Sequence, residues 1–117
     1  MASAPIALAV TAAPAHADNP CAVAGTASYY YHPIPNSDRV TVYAQAHIDR
    51  NPCGRDYRAY IVCDNGRGTN WRYGPEGRVS GDHPNAWSTT QDCPDGYWGR
   101  QKGYQVYAAG QWVTFPQ

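Results

Sequence analysis

The chain has 117 residues, with nine basic and nine acidic side chains and a net charge of zero. A balanced charge gives no field to draw the protein onto nucleic acid or an anionic membrane, so a nucleic-acid partner is not expected. Nothing approaches the roughly 20 consecutive apolar residues of a membrane-spanning helix.

Residues 1–17 are almost wholly small or apolar and close on Ala15-His16-Ala17, an A-x-A cleavage pattern, so they read as a secretory signal peptide. No Lys or Arg precedes Arg39, which places the expected translation start upstream of Met1, within a longer signal. The remaining residues, 18–117, suffice for one β domain with a modest core. All four cysteines, Cys21, Cys53, Cys63 and Cys93, follow the signal, and export makes them available for disulfides. The expected location is secreted and extracellular.

Ten prolines and eleven glycines are spread along the chain, and apolar alternation recurs only in short runs, the signature of an all-β fold. A first strand is predicted near 26–31, where Tyr29 and Tyr31 share one face and Tyr30 takes the other. The clearest alternation spans 40–48: Val40, Val42, Ala44, Ala46 and Ile48 on one face, Thr41, Tyr43, Gln45 and His47 on the other. After a turn-rich stretch at 49–54, the run 57–63 is predicted to return antiparallel to it and form the centre of the sheet with it. Asp64-Asn65-Gly66-Arg67-Gly68 is a turn cluster leading into a short strand at 70–74. A long loop at 75–85 precedes strands at 86–91, 104–108 and 111–115, the last two forming a hairpin across Ala109-Gly110. The result is a small antiparallel β-sandwich or partly closed barrel of about six to seven short strands with two disulfides.

Four cysteines permit three pairings. Cys53 and Cys63 bracket a strand of about seven residues, which separates them by about 23 Å, so Cys21–Cys53 with Cys63–Cys93 is favoured. There is no close Cys-x2-Cys pair and no paired-His motif, so neither a metal site nor a cofactor is expected.

The catalytic signatures are thin. His16 falls in the signal, His32 and His83 each precede proline in expected loops, and His47 sits on a strand's outer face. No phosphate loop, nucleophile elbow or paired-carboxylate pattern is present. What stands out is ten Tyr and four Trp beside eight Arg and one Lys, side chains that suit interfaces.

Asn70-Trp71-Arg72-Tyr73-Gly74 contains a Trp-Arg-Tyr triplet that resembles the amylase-contacting loop of the tendamistat family, small secreted β-sandwich inhibitors with two disulfides. The resemblance implies that Trp71, Arg72 and Tyr73 make the contact, with Arg72 pairing to catalytic carboxylates of a carbohydrase. In that family the triplet lies between the first two cysteines; here it follows the third. A second resemblance is to secreted guanyl-specific ribonucleases. Arg67-Gly68-Thr69 and Ser80-Gly81-Asp82-His83 are similar to the segments bearing that family's Arg and His, which implies roles for Arg67 and His83. The same alignment puts Ala59 where the catalytic Glu should stand, leaving Glu76, the only Glu, to substitute as base.

The expected function is binding. The protein reads as an inhibitor of an extracellular enzyme or a small subunit of a secreted complex, with an extracellular protein as partner. The expected surface joins Trp71, Arg72 and Tyr73 with Trp87. A competing surface is the Tyr- and Pro-containing segment 18–35, with Tyr29 and Tyr31, which would suit strand addition to a partner. The alternatives are a ribonuclease-like enzyme using Arg67, Glu76 and His83, and a carbohydrate-binding module that takes polysaccharide on its exposed aromatics.

Overall fold

Seven strands and no helix are present in the computed structural model, which describes residues 19–117. The signal peptide expected at 1–17 lies outside the described residues. The strands are β1 (Ala24–Pro33), β2 (Val40–Arg50), β3 (Tyr57–Asp64), β4 (Thr69–Tyr73), β5 (Ala86–Thr89), β6 (Trp98–Ala108) and β7 (Gln111–Pro116). They build a three-stranded sheet, β1-β2-β5, and a four-stranded sheet, β4-β3-β6-β7, with every pairing antiparallel.

The core lies between the two sheets and is built from alternate residues, as the pleat requires. Strand β2 contributes Val42, Ala44, Ala46 and Ile48, all buried, against Tyr57, Ala59, Ile61 and Cys63 of β3 and Tyr104 and Val106 of β6. Several inward positions hold alanine, so the larger tyrosines fit across from them. Tyr29 reaches this core from β1, where its ring lies against Gly99, a position at which a Cβ would sit 2.6 Å from that ring.

Strands β2 and β3, expected to pair at the centre of one sheet, lie instead in different sheets and face each other across the core. The corner between them explains the crossing. Asn51 is fully buried; its side-chain amide donates to the carbonyls of Arg55 and Val79, and its Oδ1 accepts from the Arg55 amide. Its own backbone pairs with Gly81. The side chain and backbone of Asn51 are thus satisfied within the corner, which lets the chain pass between layers with these buried groups paired; the adjoining Arg50 keeps one buried guanidinium nitrogen, Nη1, without a partner.

Strand β6 begins at Trp98 rather than at 104. Its first half, Trp98-Gly99-Arg100-Gln101-Lys102, lacks apolar alternation and is held by its ladder with β3. Strand β5 ends at Thr89, but the next residues still bond across the seam. The Thr90 and Cys93 amides donate to β2 carbonyls, and the Gln91 amide donates to the Tyr73 carbonyl of β4. The sheets are thus laced together on the β5 and β4 side and do not pair at the β1 and β7 edges, giving a sandwich rather than a closed barrel.

Both disulfides have the pairing favoured from strand length, with Cα separations of 5.1 Å for Cys21–Cys53 and 5.6 Å for Cys63–Cys93. Cys63–Cys93 lies in the core, whereas Cys53 is exposed at the β2–β3 corner.

Candidate functional site

Residues opposed across an antiparallel pair share a face. Tyr60 opposes Tyr73 and Val62 opposes Trp71, so Trp71 and Tyr73 stand on the outer face of the four-stranded sheet. Arg72 opposes Ile61 and therefore points the other way. Its guanidinium bonds the Asn70 side chain at 3.0 Å and the Asp92 carbonyl at 3.2 Å, which fastens β4 to the seam. The triplet is split by the pleat, and Arg72 does not sit between the two rings.

The outer face supplies a different arginine. Arg58 of β3 lies over the Tyr73 ring at 3.9 Å and the Trp112 ring at 4.2 Å from their centroids, held between them. Its Nε donates to Gln105 at 2.7 Å, and the Gln105 amide donates to Thr114 at 3.0 Å. Tyr107 meets Trp112 edge-on at 5.3 Å, while Trp71 stacks on Tyr60 at 5.2 Å. The result is a row of rings across all four strands, fixed by stacking and hydrogen bonds, with Trp71, Tyr73 and Tyr107 exposed.

Tyr60 underlies this row. It is fully buried, its ring fills the space above Gly103, and its hydroxyl donates to Gln101 at 3.0 Å. Burial, with Tyr29 adding to it, pushes the Tyr60 hydroxyl up to about 12, so it remains a donor well into the alkaline range.

Trp87 is not part of this surface. It opposes His47 across β2 and β5 and lies on the outer face of the three-stranded sheet, on the other side of the molecule. There it packs on His47 at 4.2 Å, and His47 also contacts Asp49 at 2.7 Å and Asn85 at 2.9 Å. The same face carries Tyr43, stacked between Tyr30 and His32. His32 contacts Asp92, to which Thr41 also donates. Burial raises the Asp92 carboxyl, but the hydrogen bonds from Thr41 and His32 outweigh it and hold the group below its ordinary value.

Tyr29 and Tyr31 lie on the core side of β1 and line an open hollow of about 270 Å³ at one end of the sandwich, with Val40, Val42, Tyr97 and Trp98; Tyr29 is half-buried there and Tyr31 stays exposed. The three consecutive tyrosines thus divide between two surfaces, as alternation requires.

The ribonuclease-like set is not brought together. Glu76 adjoins Gly77, which pairs with Tyr57 at the start of β3, and His83 follows Gly81 at the Asn51 corner. Arg67 sits in the turn beyond Asp64, at the far end of β3. Eight residues of strand, on the order of 23 Å, intervene. Ala59 is buried in the core. Among the described residues no cluster of three His, Cys, Asp or Glu side chains could hold a metal ion.

Sequence reasoning missed Arg58, Tyr107 and Trp112. Arg58, Tyr60 and Val62 alternate with the core positions of β3, and that pattern marks a second, outer face. Only the sheet order shows that Trp112 reaches it. No protein-family model matches this chain, and no curated protein or solved structure shows significant similarity to it.

Proposed function

We propose that this chain is a secreted binding protein that acts on an extracellular protein, as an inhibitor of an enzyme or a small subunit of a complex. The contact surface is the outer face of the four-stranded sheet. The observation that carries this reading is the Trp71, Tyr73, Arg58, Trp112 and Tyr107 row, exposed in part yet held by stacking and hydrogen bonds. Tyr, Trp and Arg dominate binding energy at interfaces, and ordering them in advance removes much of the entropy cost of association. Arg58 covers one face of both Tyr73 and Trp112, which leaves less open aromatic face for sugar rings to stack on and favours a protein surface. Two disulfides within about 100 residues are compatible with an oxidising, extracellular setting.

The test is affinity capture from culture supernatants with the oxidised chain, run beside a Trp71→Ala/Tyr73→Ala variant and a Trp87→Ala variant. A stoichiometric protein retained by wild type and by Trp87→Ala, and lost by the double variant, is the expected result. Retention by the double variant, or capture of polysaccharide in place of protein, would refute it.

A further inference from the structure

The outer face also carries a hollow of about 280 Å³, lined by Val62, Thr69, Trp71, Arg100 and Gln101. Its geometry comes from an irregularity in β6. Val62 pairs with Gln101 and Cys63 with Gly99, so Arg100 is an extra residue, a bulge. In a regular strand Arg100 and Gln101 would point to opposite faces; the bulge turns both towards Trp71. A bulge that re-aims a side chain is a feature that marks functional positions on strands.

The donors gathered there are largely uncommitted. Arg100 has one contact, to Asp64 at 3.5 Å, and its side chain is 62% exposed. The Gln101 Oε1 already accepts from Tyr60, which orients the amide and leaves its NH2 group available. Thr69 adds a hydroxyl, and the Trp71 indole forms an apolar wall. Even with Arg100 shared with the Asp64 carboxylate, free donors outnumber free acceptors, so the hollow favours an acceptor-only group such as a carboxylate. A sugar ring, whose hydroxyls need acceptors as well as donors, is a poorer match.

We propose that this hollow is a carboxylate subsite, in which Arg100 and Gln101 bind an Asp or Glu side chain of the protein partner while Trp71 covers its apolar stem. The inference rests on the protein-binding reading above and gives to Arg100 the carboxylate-pairing role that the family resemblance implied for Arg72.

The test needs no knowledge of the partner. The 15N-labelled full chain is titrated with the blocked peptide acetyl-Gly-Glu-Gly-amide, with its Gln counterpart, and with galacturonate, following the Trp71 indole N–H, the Arg100 Nε–H and the Gln101 side-chain amide. The Glu peptide should give saturable shifts at these three groups at millimolar concentration, with the Gln peptide about tenfold weaker or more. Arg100→Gln should abolish the Glu preference, whereas Arg39→Gln, the same charge change at an exposed site before β2, should preserve it. Equal shifts with both peptides, no shift with either, or an undiminished preference in Arg100→Gln would overturn the proposal. So would saturable binding of galacturonate alone, which would reassign the hollow to an acidic sugar. Failure here leaves the capture experiment standing, because that experiment reads the whole face rather than this subsite.

Discussion

Arg58 shows how one side chain organises a surface without acting as a free charge. Between two rings and bonded to Gln105, it is a spacer that keeps Tyr73 and Trp112 apart and upright. Arg58→Ala should lower unfolding free energy by about 1–2 kcal/mol through lost stacking and a lost hydrogen bond, measurable by urea denaturation. Arg58→Lys should recover only part of that, since an ammonium cannot lie flat against both rings. Beneath the same face, Tyr60 links stability to pH. Its hydroxyl is neutral in the fold up to about 12, against 10.0 for an unperturbed tyrosine. The stabilisation is therefore complete below 10.0 and is lost as pH rises from there through about 12. Burial raises Tyr29 and Tyr104 in the same direction, so Tyr60→Phe should reduce, and not abolish, the alkaline fall in the urea midpoint.

At the scale of elements, the turns are the most legible features and one of them is imperfect. The β6–β7 hairpin closes on Ala109 and Gly110, with φ of 53° and 84°, the pair of positive values that a two-residue type I′ turn requires. Glycine adopts this conformation freely, but alanine pays in steric strain for its Cβ. Ala109→Asn, which gives the favoured Asn-Gly pair, should raise stability by about 1 kcal/mol, read from thermal or urea unfolding. The β3–β4 turn is already well made: the Asn65 side chain accepts from the amides of Arg67 and Gly68, and the Asp64 side chain from that of Gly66. Both turns follow from local residue chemistry and could be placed from sequence. The β6 bulge could not, because it arises from the mismatch between two strands, and neither Arg100 nor Gln101 signals it alone.

For the whole molecule, the two disulfides divide the labour. Cys63–Cys93 ties the centre of the four-stranded sheet to the segment following β5, inside the core; Cys21–Cys53 ties the N-terminal segment to an exposed corner. Access governs thiol exchange, so mild reduction should open Cys21–Cys53 first and leave the second bond intact, as thiol alkylation and mass mapping would show. Replacing Cys63 and Cys93 together by Ala should cost about 3–4 kcal/mol on loop entropy. The size of the chain makes that a large share of its stability.

The sequence alone determined the strand class, the alternation along β2, the positions of the turns and the favoured cysteine pairing, because these depend on covalent geometry over a few residues. The tertiary structure decided which strands share a sheet. Strands β2 and β3 look like neighbours in the chain yet oppose each other across the core, since both carry inward apolar faces that bury more surface by packing than by pairing. That choice sets Trp71 and Trp87 on opposite sides of the molecule, turns Arg72 towards the seam, and brings Arg58 and Trp112 together from strands separated by β6. The row of rings on this outer face is assembled by long-range pairing: alternation along β3 marks the face, but no local pattern in the chain says which strands complete it.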